Sequence, residues 1–188
     1  MPDIEPNIEP ILWRYLNVAP DGVPYRIYFE EAGSGIPLLC LHTAGADSRQ
    51  YRHLLNDSAV TARYRVIAFD MPYHGRSNPP DGWWLQKYRL TTAGYLAMIR
   101  AVWGTLRLNR PVVMGCSMGG AIVLKVGVEY QRELTGIIGL ESSAFAPGRY
   151  NEYLHHPAIH GGELAATNAE GGCSYVRFSL PVIAKDRQ

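Results

Sequence analysis

The chain has 188 residues, of which 47% are hydrophobic and 19% are charged, and its formal net charge is +1. That size and composition suit one globular domain with a substantial core. The balanced charge predicts neither a nucleic-acid partner nor an anionic membrane surface, and no apolar run approaches membrane-spanning length. The cysteines Cys40, Cys116 and Cys173 are widely spaced, which argues against a disulfide framework or a zinc site. With no signal-peptide pattern at Met1, we expect a cytoplasmic protein.

The first third of the chain predicts three strands. Residues 11–18 and 25–31 are rich in β-branched and aromatic residues, and Pro20-Asp21-Gly22 between them is a turn signal. The continuous apolar run over 36–41 is typical of a strand buried on both faces. It leads into the loop His42-Thr43-Ala44-Gly45-Ala46-Asp47-Ser48.

The next segments alternate between helix and strand. A helix is predicted over about 49–60, and a buried strand over 65–69. That strand ends at Asp70-Met71-Pro72-Tyr73-His74-Gly75-Arg76-Ser77. Apolar residues then recur at helical spacing, which predicts a helix that begins at Thr91 or Thr92 and ends near Leu108.

The stretch over 111–124 carries the strongest chemical signal. It begins as a β-branched run, reads Gly115-Cys116-Ser117-Met118-Gly119, and continues as a helix to about Tyr130. A turn between strand and helix needs glycines where two backbones approach closely, and it holds the serine at its tip in a strained conformation. The start of the helix directs N–H groups and a positive dipole end at the same place.

A further short strand is predicted over 135–140, ending at Glu141. The alternation of strands and helices predicts an α/β fold with a mostly parallel, doubly wound sheet that has helices on both faces. In such sheets the functional crevice lies at the carboxyl ends of the strands. His42, Asp70, Ser117 and Glu141 all follow directly after predicted strands.

With these motifs, the chain resembles the α/β-hydrolase family, and more narrowly its branch of single-domain esterases and carbon–carbon bond hydrolases. The resemblance implies that Ser117 is the nucleophile and that the N–H groups of Ala44 and Met118 form the oxyanion hole. The segment from Asp70 to Ser77 resembles the family's Asp-x-Pro-Gly-x-Gly-x-Ser, which implies a structural role for Asp70. The implied substrate is a small molecule with an ester, lactone, amide or activated carbon–carbon bond. No metal or other cofactor is implied.

The resemblance covers residues 11–165 and only the first two-thirds of the family's fold. Family members place an acid and then a histidine after the serine, on later strands, and the chain ends at Gln188 before such strands. We therefore expect a fragment, or a chain altered at its C-terminus, that lacks the C-terminal strands and the catalytic histidine. The predicted parts are the N-terminal part of the core over 11–147 and the start of a cap, or an altered tail, over 148–188.

Two assignments remain open at the sequence level. Glu141 matches the triad acid of family members that resemble haloalkane dehalogenases, or it is a strand-end carboxylate that accepts loop N–H groups. His74 is a weak candidate for the base, and Pro157 within the cluster of His155, His156 and His160 argues against a metal site there.

The incomplete fold has two consequences. An unpaired strand over 135–140 would expose a sheet edge through which the chain self-associates. The alternative to a hydrolase is a non-catalytic, vestigial protein that keeps the pocket and binds a ligand.

Overall fold

The computed structural model describes residues 7–87 and 89–140, together with the backbone of residues 145–146, 149–150, 163–168 and 174–179. The strands are β1 (Leu12–Val18), β2 (Tyr25–Ala32), β3 (Ile36–Leu41), β4 (Tyr64–Phe69), β5 (Val112–Cys116), β6 (Gly136–Leu140), β7 (Phe145–Ala146), β8 (Arg149–Tyr150), β9 (Glu163–Asn168) and β10 (Ser174–Ser179). The α-helices are α1 (Arg52–Asn56), α2 (Ser58–Thr61), α3 (Thr92–Thr105) and α4 (Met118–Tyr130). Short 3-10 turns cover Pro20–Gly22, Ser48–Tyr51, Trp83–Leu85 and Gln131–Glu133.

One sheet organises the molecule, with the strand order β1-β2-β4-β3-β5-β6-β10-β9. The four central strands β4, β3, β5 and β6 are parallel, and β1 and β2 join antiparallel at one side. The predicted α/β fold with a mostly parallel sheet is thereby confirmed. The pairing of β3 with β5 ends with Leu41 opposite Gly115, so the two loops that follow these strands leave the sheet side by side.

The central strands are largely apolar because each face of the sheet packs against helices. Arg65, near the start of β4, forms an ion pair with Glu31. Leu39 and Leu41 belong to the core cluster that includes α3 and α4. Their neighbours Leu38 and Cys40 point to the opposite face and pack in the cluster that contains Leu55 of α1. Within the described ranges, none of the helices reaches the length and hydropathy of a bilayer-spanning segment.

The helix predicted over 49–60 is divided in the structure. Asp57 adopts an extended conformation, and its carboxylate accepts the N–H groups of Ala59 and Val60, at 2.8 and 3.1 Å. This side-chain cap starts α2 as a separate helix, because it competes with continuation of the backbone hydrogen bonds of α1. The longer helix α3 agrees with its prediction: it begins at Thr92, and the side chain of Thr91 caps it by accepting the N–H of Gly94.

The edge beside β6 differs from the sequence-based expectation. We expected β6 to be unpaired, but β10 lies antiparallel to it, with Tyr175 opposite Leu140 and Phe178 opposite Ile137. That expectation was wrong, because the pairing gives the backbone groups of β6 the partners that a bare edge would lack. Self-association through the sheet edge and the domain boundary after residue 147 stay predictions.

Candidate active site

Ser117 stands at the tip of the turn that joins β5 to α4. Its backbone has φ 51° and ψ −108°, and the residue is exposed. Its N–H donates to the carbonyl of Leu140 at 2.9 Å, and its carbonyl accepts the N–H of Ala121 at 2.8 Å. These bonds join the serine to β6 on one side and to the first turn of α4 on the other. The strained conformation that the motif predicts is therefore present.

Two glycines allow the turn to form. A Cβ on Gly115 would overlap the carbonyl of Gly119, and a Cβ on Gly119 would overlap the carbonyl of Leu41. Neither glycine has a positive φ. The requirement is therefore close approach of backbone to backbone, as the sequence predicted, and not conformational freedom. Gly119 also brings the first turn of α4 directly against the end of β3.

The two predicted oxyanion donors are the N–H groups of Ala44 and Met118. They lie on the loop after β3 and on α4, which the close contact between Gly119 and Leu41 brings together. Met118 is the first residue of α4, so its N–H has no acceptor within the helix. Ala44 lies in the tight turn after β3, which the hydrogen bond from the Ala46 N–H to the Thr43 carbonyl closes at 3.3 Å. The N–H of Thr43 donates to the side chain of Gln50 at 2.8 Å, which fixes the start of that turn. Their role as oxyanion donors stays a prediction.

His42 is buried between the loops that follow β3 and β4. Its Nε2 accepts the N–H of Met71 at 3.0 Å, and its Nδ1 lies 2.8 Å from the Thr43 carbonyl, to which it donates. Both ring nitrogens are thus occupied in the neutral form. Burial lowers the pKa of His42, as does the nearby ring of His74, although the Thr43 carbonyl and Asp70 act in the opposite direction. His42 therefore links two loops and has no free nitrogen with which to act as a base.

The lowered pKa of His42 predicts a pH-dependent stability. Below about pH 6.5 the unfolded chain binds a proton at this histidine, whereas the folded chain binds one only at lower pH. The contribution of His42 to the free energy of unfolding is therefore fully present above about pH 6.5 and decreases as the pH falls below it. We expect His42→Gln to remove up to about 1.4 kcal/mol per pH unit of this dependence. Urea denaturation at pH 7.5, 6.5 and 5.5 measures the slope. Equal slopes in the parent and in folded His42→Gln would contradict the assignment.

Asp70 holds the segment after β4 in place. Its carboxylate is buried and accepts the N–H groups of Ser48 and Arg76, each at 2.7 Å. Its backbone carbonyl accepts the Ser77 hydroxyl at 2.7 Å. A Cβ on Gly75, where φ is 52°, would overlap this carboxylate. The geometry fits the structural role that the resemblance implies for Asp70.

His74 lies beside His42, with 5.0 Å between the ring centroids. Its Nδ1 lies 3.0 Å from the Pro72 carbonyl, to which it donates. Among the described residues, no hydrogen bond is assigned between a histidine and Ser117. The weak assignment of His74 as the base therefore has no supporting contact.

Tyr73 stands where the family pattern has glycine, and it adopts φ 67°, in the left-handed region. Its ring meets that of Trp83 edge-on, with the centroids 6.2 Å apart. Tyr73, Met71 and Met98 help to line a cavity of about 370 Å³, whose described lining does not include Ser117. Trp83 and the neighbouring Trp84 are not part of this lining and are 46% and 68% exposed. Tyr73 thus separates the cavity from an exposed aromatic loop.

Several predicted residues lie outside the described part of the chain. Glu141 follows β6 directly but is not among the described residues, so its role as the orienting acid stays a prediction. The same holds for His155, His156 and His160. Tyr51, whose hydroxyl contacts the end of β3, was not predicted, because a hydrogen bond between distant segments leaves no local pattern in the sequence.

Comparison with known proteins agrees with this geometry. Residues 36–164 match the family model described as the alpha/beta hydrolase fold. The 2-hydroxy-6-oxo-6-phenylhexa-2,4-dienoate hydrolase of Comamonas testosteroni is 35% identical over 135 residues, which cover 65% of this chain and 44% of that protein. The 2-hydroxy-6-oxononadienedioate/2-hydroxy-6-oxononatrienedioate hydrolase of Burkholderia vietnamiensis is 25% identical over 158 residues, which cover 80% and 51%. The chain thus spans about half the length of these curated relatives.

A solved structure shows the same fold. The thermophilic esterase from Thermogutta terrifontis superposes with a TM-score of 0.61 at 21% identity, over 72% of this chain and 48% of that one. At this identity the likeness concerns the fold alone.

Proposed function

This chain belongs to the α/β-hydrolase fold family, and we propose that it is a hydrolase whose nucleophile is the hydroxyl of Ser117. The backbone of Ser117 carries the proposal, because φ 51° holds an exposed serine where a buried strand ends and a helix begins. A residue other than glycine stays in such a conformation only when its surroundings enforce it, and this kind of strain clusters at functional sites.

In the proposed reaction, the Ser117 Oγ attacks a carbonyl carbon and loses its proton to a base. The negative charge that develops on the substrate oxygen is stabilised by the N–H groups of Ala44 and Met118. Each such donor contributes about 3 kcal/mol to the transition state, because the charge appears only there. The bond from the carbonyl carbon to the leaving group then breaks, and the leaving group departs with the proton that the base took from Ser117. Water hydrolyses the acyl intermediate: its oxygen bonds to the carbonyl carbon, and a proton returns to the Ser117 oxygen as the product acid leaves. The alternative is a direct hydrolytic variant without the acyl intermediate. Glu141 remains the candidate for the residue that orients the base.

The proposed substrate is a small molecule with an ester, lactone, amide or activated carbon–carbon bond. Both curated relatives are named as hydrolases of 2-hydroxy-6-oxo dienoate compounds, which supports a small organic acid as one such substrate. The cavity beside Tyr73 is the candidate for the part of the substrate that does not react: Met71 and Met98 suit a carbon skeleton, and Lys87 and Arg89 in the same lining suit a carboxylate.

The hydrogen bonds of the two histidines favour a second candidate, a non-catalytic protein that binds a ligand in the same pocket. The His42 ring is fully occupied, the Nδ1 of His74 donates to a carbonyl, and no described histidine is hydrogen-bonded to Ser117. Without a base, the serine keeps the poor nucleophilicity of an alcohol.

Hydrolysis of a nitrophenyl ester separates the two candidates. We expect a burst of nitrophenol from the parent, because attack by Ser117 forms the acyl intermediate faster than water hydrolyses it. Ser117→Ala should lose the burst and keep only the rate that oxyanion donors and binding supply, roughly 10³-fold above buffer. The same release of nitrophenol in the parent and in Ser117→Ala, with both proteins folded by circular dichroism, would contradict the hydrolase and favour the ligand-binding protein.

A further inference from the structure

Tyr51 lies beneath the proposed oxyanion loop, at the end of the 3-10 turn Ser48–Tyr51. It is 4% exposed, and its ring packs in the core cluster that contains Cys40 and Leu55. Its hydroxyl donates to the carbonyl of Leu41 at 2.6 Å. Leu41 is the last residue of β3, three positions before Ala44.

The hydroxyl also lies near the nucleophile strand. Burial raises the pKa of Tyr51 far above its usual range, although the nearby backbone of Cys116 acts in the opposite direction. The hydroxyl therefore keeps its proton and remains a donor to the Leu41 carbonyl. Cys116 is the residue directly before Ser117.

The hydroxyl lies where the two strands separate. The last paired residues of β3 and β5 are Leu41 and Gly115, and beyond them one strand enters the oxyanion loop and the other enters the turn at Ser117. The Leu41 carbonyl, at the last pair of this ladder, accepts the Tyr51 hydroxyl, so the side chain joins the end of β3 to the 3-10 turn Ser48–Tyr51.

We propose that Tyr51 is a positioning residue that fixes the distance between the oxyanion loop and the Ser117 turn. The inference rests on the proposed function of Ser117. The Leu41 carbonyl is held on one side by Tyr51 and is met on the other by the backbone of Gly119. Loss of the hydroxyl lets the end of β3 move relative to α4. The N–H groups of Ala44, after β3, and Met118, at the start of α4, then align poorly with a developing oxyanion.

The proposal is tested with Tyr51→Phe, which removes only the hydroxyl. The probe is an alkyl fluorophosphonate, which forms a phosphorus–oxygen bond with a serine hydroxyl and releases fluoride and a proton. We expect the maximal rate of Ser117 labelling to fall by about 10²-fold while the probe concentration at half-maximal rate stays unchanged, because misalignment acts on the reacting geometry. Urea denaturation shows whether the variant remains folded.

The matched control is Tyr28→Phe. Tyr28 is also buried, and its hydroxyl donates to Glu30 at 2.8 Å, but it lies on β2, which does not contact β5. Its loss should leave the labelling rate within about twofold of the parent. Equal labelling of the parent and of folded Tyr51→Phe would overturn the positioning role, as would an equal fall in the control.

Amide hydrogen exchange gives a second readout that needs no reactivity. In Tyr51→Phe the end of β3 is held less firmly, and the N–H groups of Leu41 and Cys116 should exchange at least about tenfold faster, whereas Tyr28→Phe should leave them unchanged. Unchanged exchange at both positions overturns the positioning role. If the parent chain is not labelled at Ser117 at all, the proposed function fails. If the parent is labelled and Tyr51→Phe is labelled equally fast, the positioning role alone fails.

Discussion

Replacing Ser117 with glycine should raise the free energy of unfolding by about 1–2 kcal/mol and abolish labelling by a fluorophosphonate. The gain follows from the backbone at this position, where φ 51° and ψ −108° are unfavourable for any residue with a Cβ and cost nothing to glycine. The loss follows because the proposed nucleophile is gone. Urea denaturation measures the change in the free energy of unfolding, provided that its dependence on urea concentration, the m-value, is unchanged. Mass spectrometry of the protein treated with the fluorophosphonate measures the loss of labelling.

Ser117→Ala is the matched control for this experiment. It removes the hydroxyl and keeps the Cβ, so labelling should be lost without any gain in stability. A comparable gain in both variants would mean that the hydroxyl, and not the backbone, is the source of the destabilisation. The pair therefore separates the strain from the chemistry.

Replacing Gly119 with alanine should destabilise the fold by about 2–3 kcal/mol, which is at the upper end of the usual cost of overpacking. The new Cβ would overlap the carbonyl of Leu41, so the first turn of α4 and the end of β3 would have to separate. That displacement also moves Met118 away from the loop of Ala44, and labelling of Ser117 should slow by at least tenfold, which corresponds to about 1.4 kcal/mol.

A second helical glycine provides the comparison. Gly104 lies in α3, and a Cβ built on it has no neighbour within 4 Å. Gly104→Ala should therefore stabilise the protein by up to about 1 kcal/mol, as expected for this exchange in an open helical position. If Gly119→Ala were as well tolerated as Gly104→Ala, the close contact between α4 and β3 would be wrong.

The turn at Ser117 was predictable because its determinants are local. A buried strand, two glycines two residues from a serine, and an apolar helix lie within one short stretch of the chain. The glycines are required by backbone contacts that any such turn must make, and the structure shows those contacts at Gly115 and Gly119. The central strands were predictable for the same reason, since burial on both faces leaves a continuous apolar run.

The remaining features depend on contacts between distant segments. The left-handed conformation of Tyr73 could not be predicted, because a tyrosine gives no sign of positive φ and the family pattern has glycine there. The hydrogen bond from the Met71 N–H to the His42 ring connects the loops that follow two different strands. The pairing of β10 with β6 joins segments about 35 residues apart, and nothing local in either one specifies it.

The most direct test of the account is to map the site at which a fluorophosphonate reacts with the folded chain. The account predicts one adduct, located by peptide mass spectrometry on Ser117, that forms in the parent and not in Ser117→Ala. An adduct on another residue, or equal labelling of the parent and of Ser117→Ala, would contradict the assignment of Ser117 as the nucleophile. Absence of any adduct in a chain that circular dichroism shows to be folded would contradict it as well.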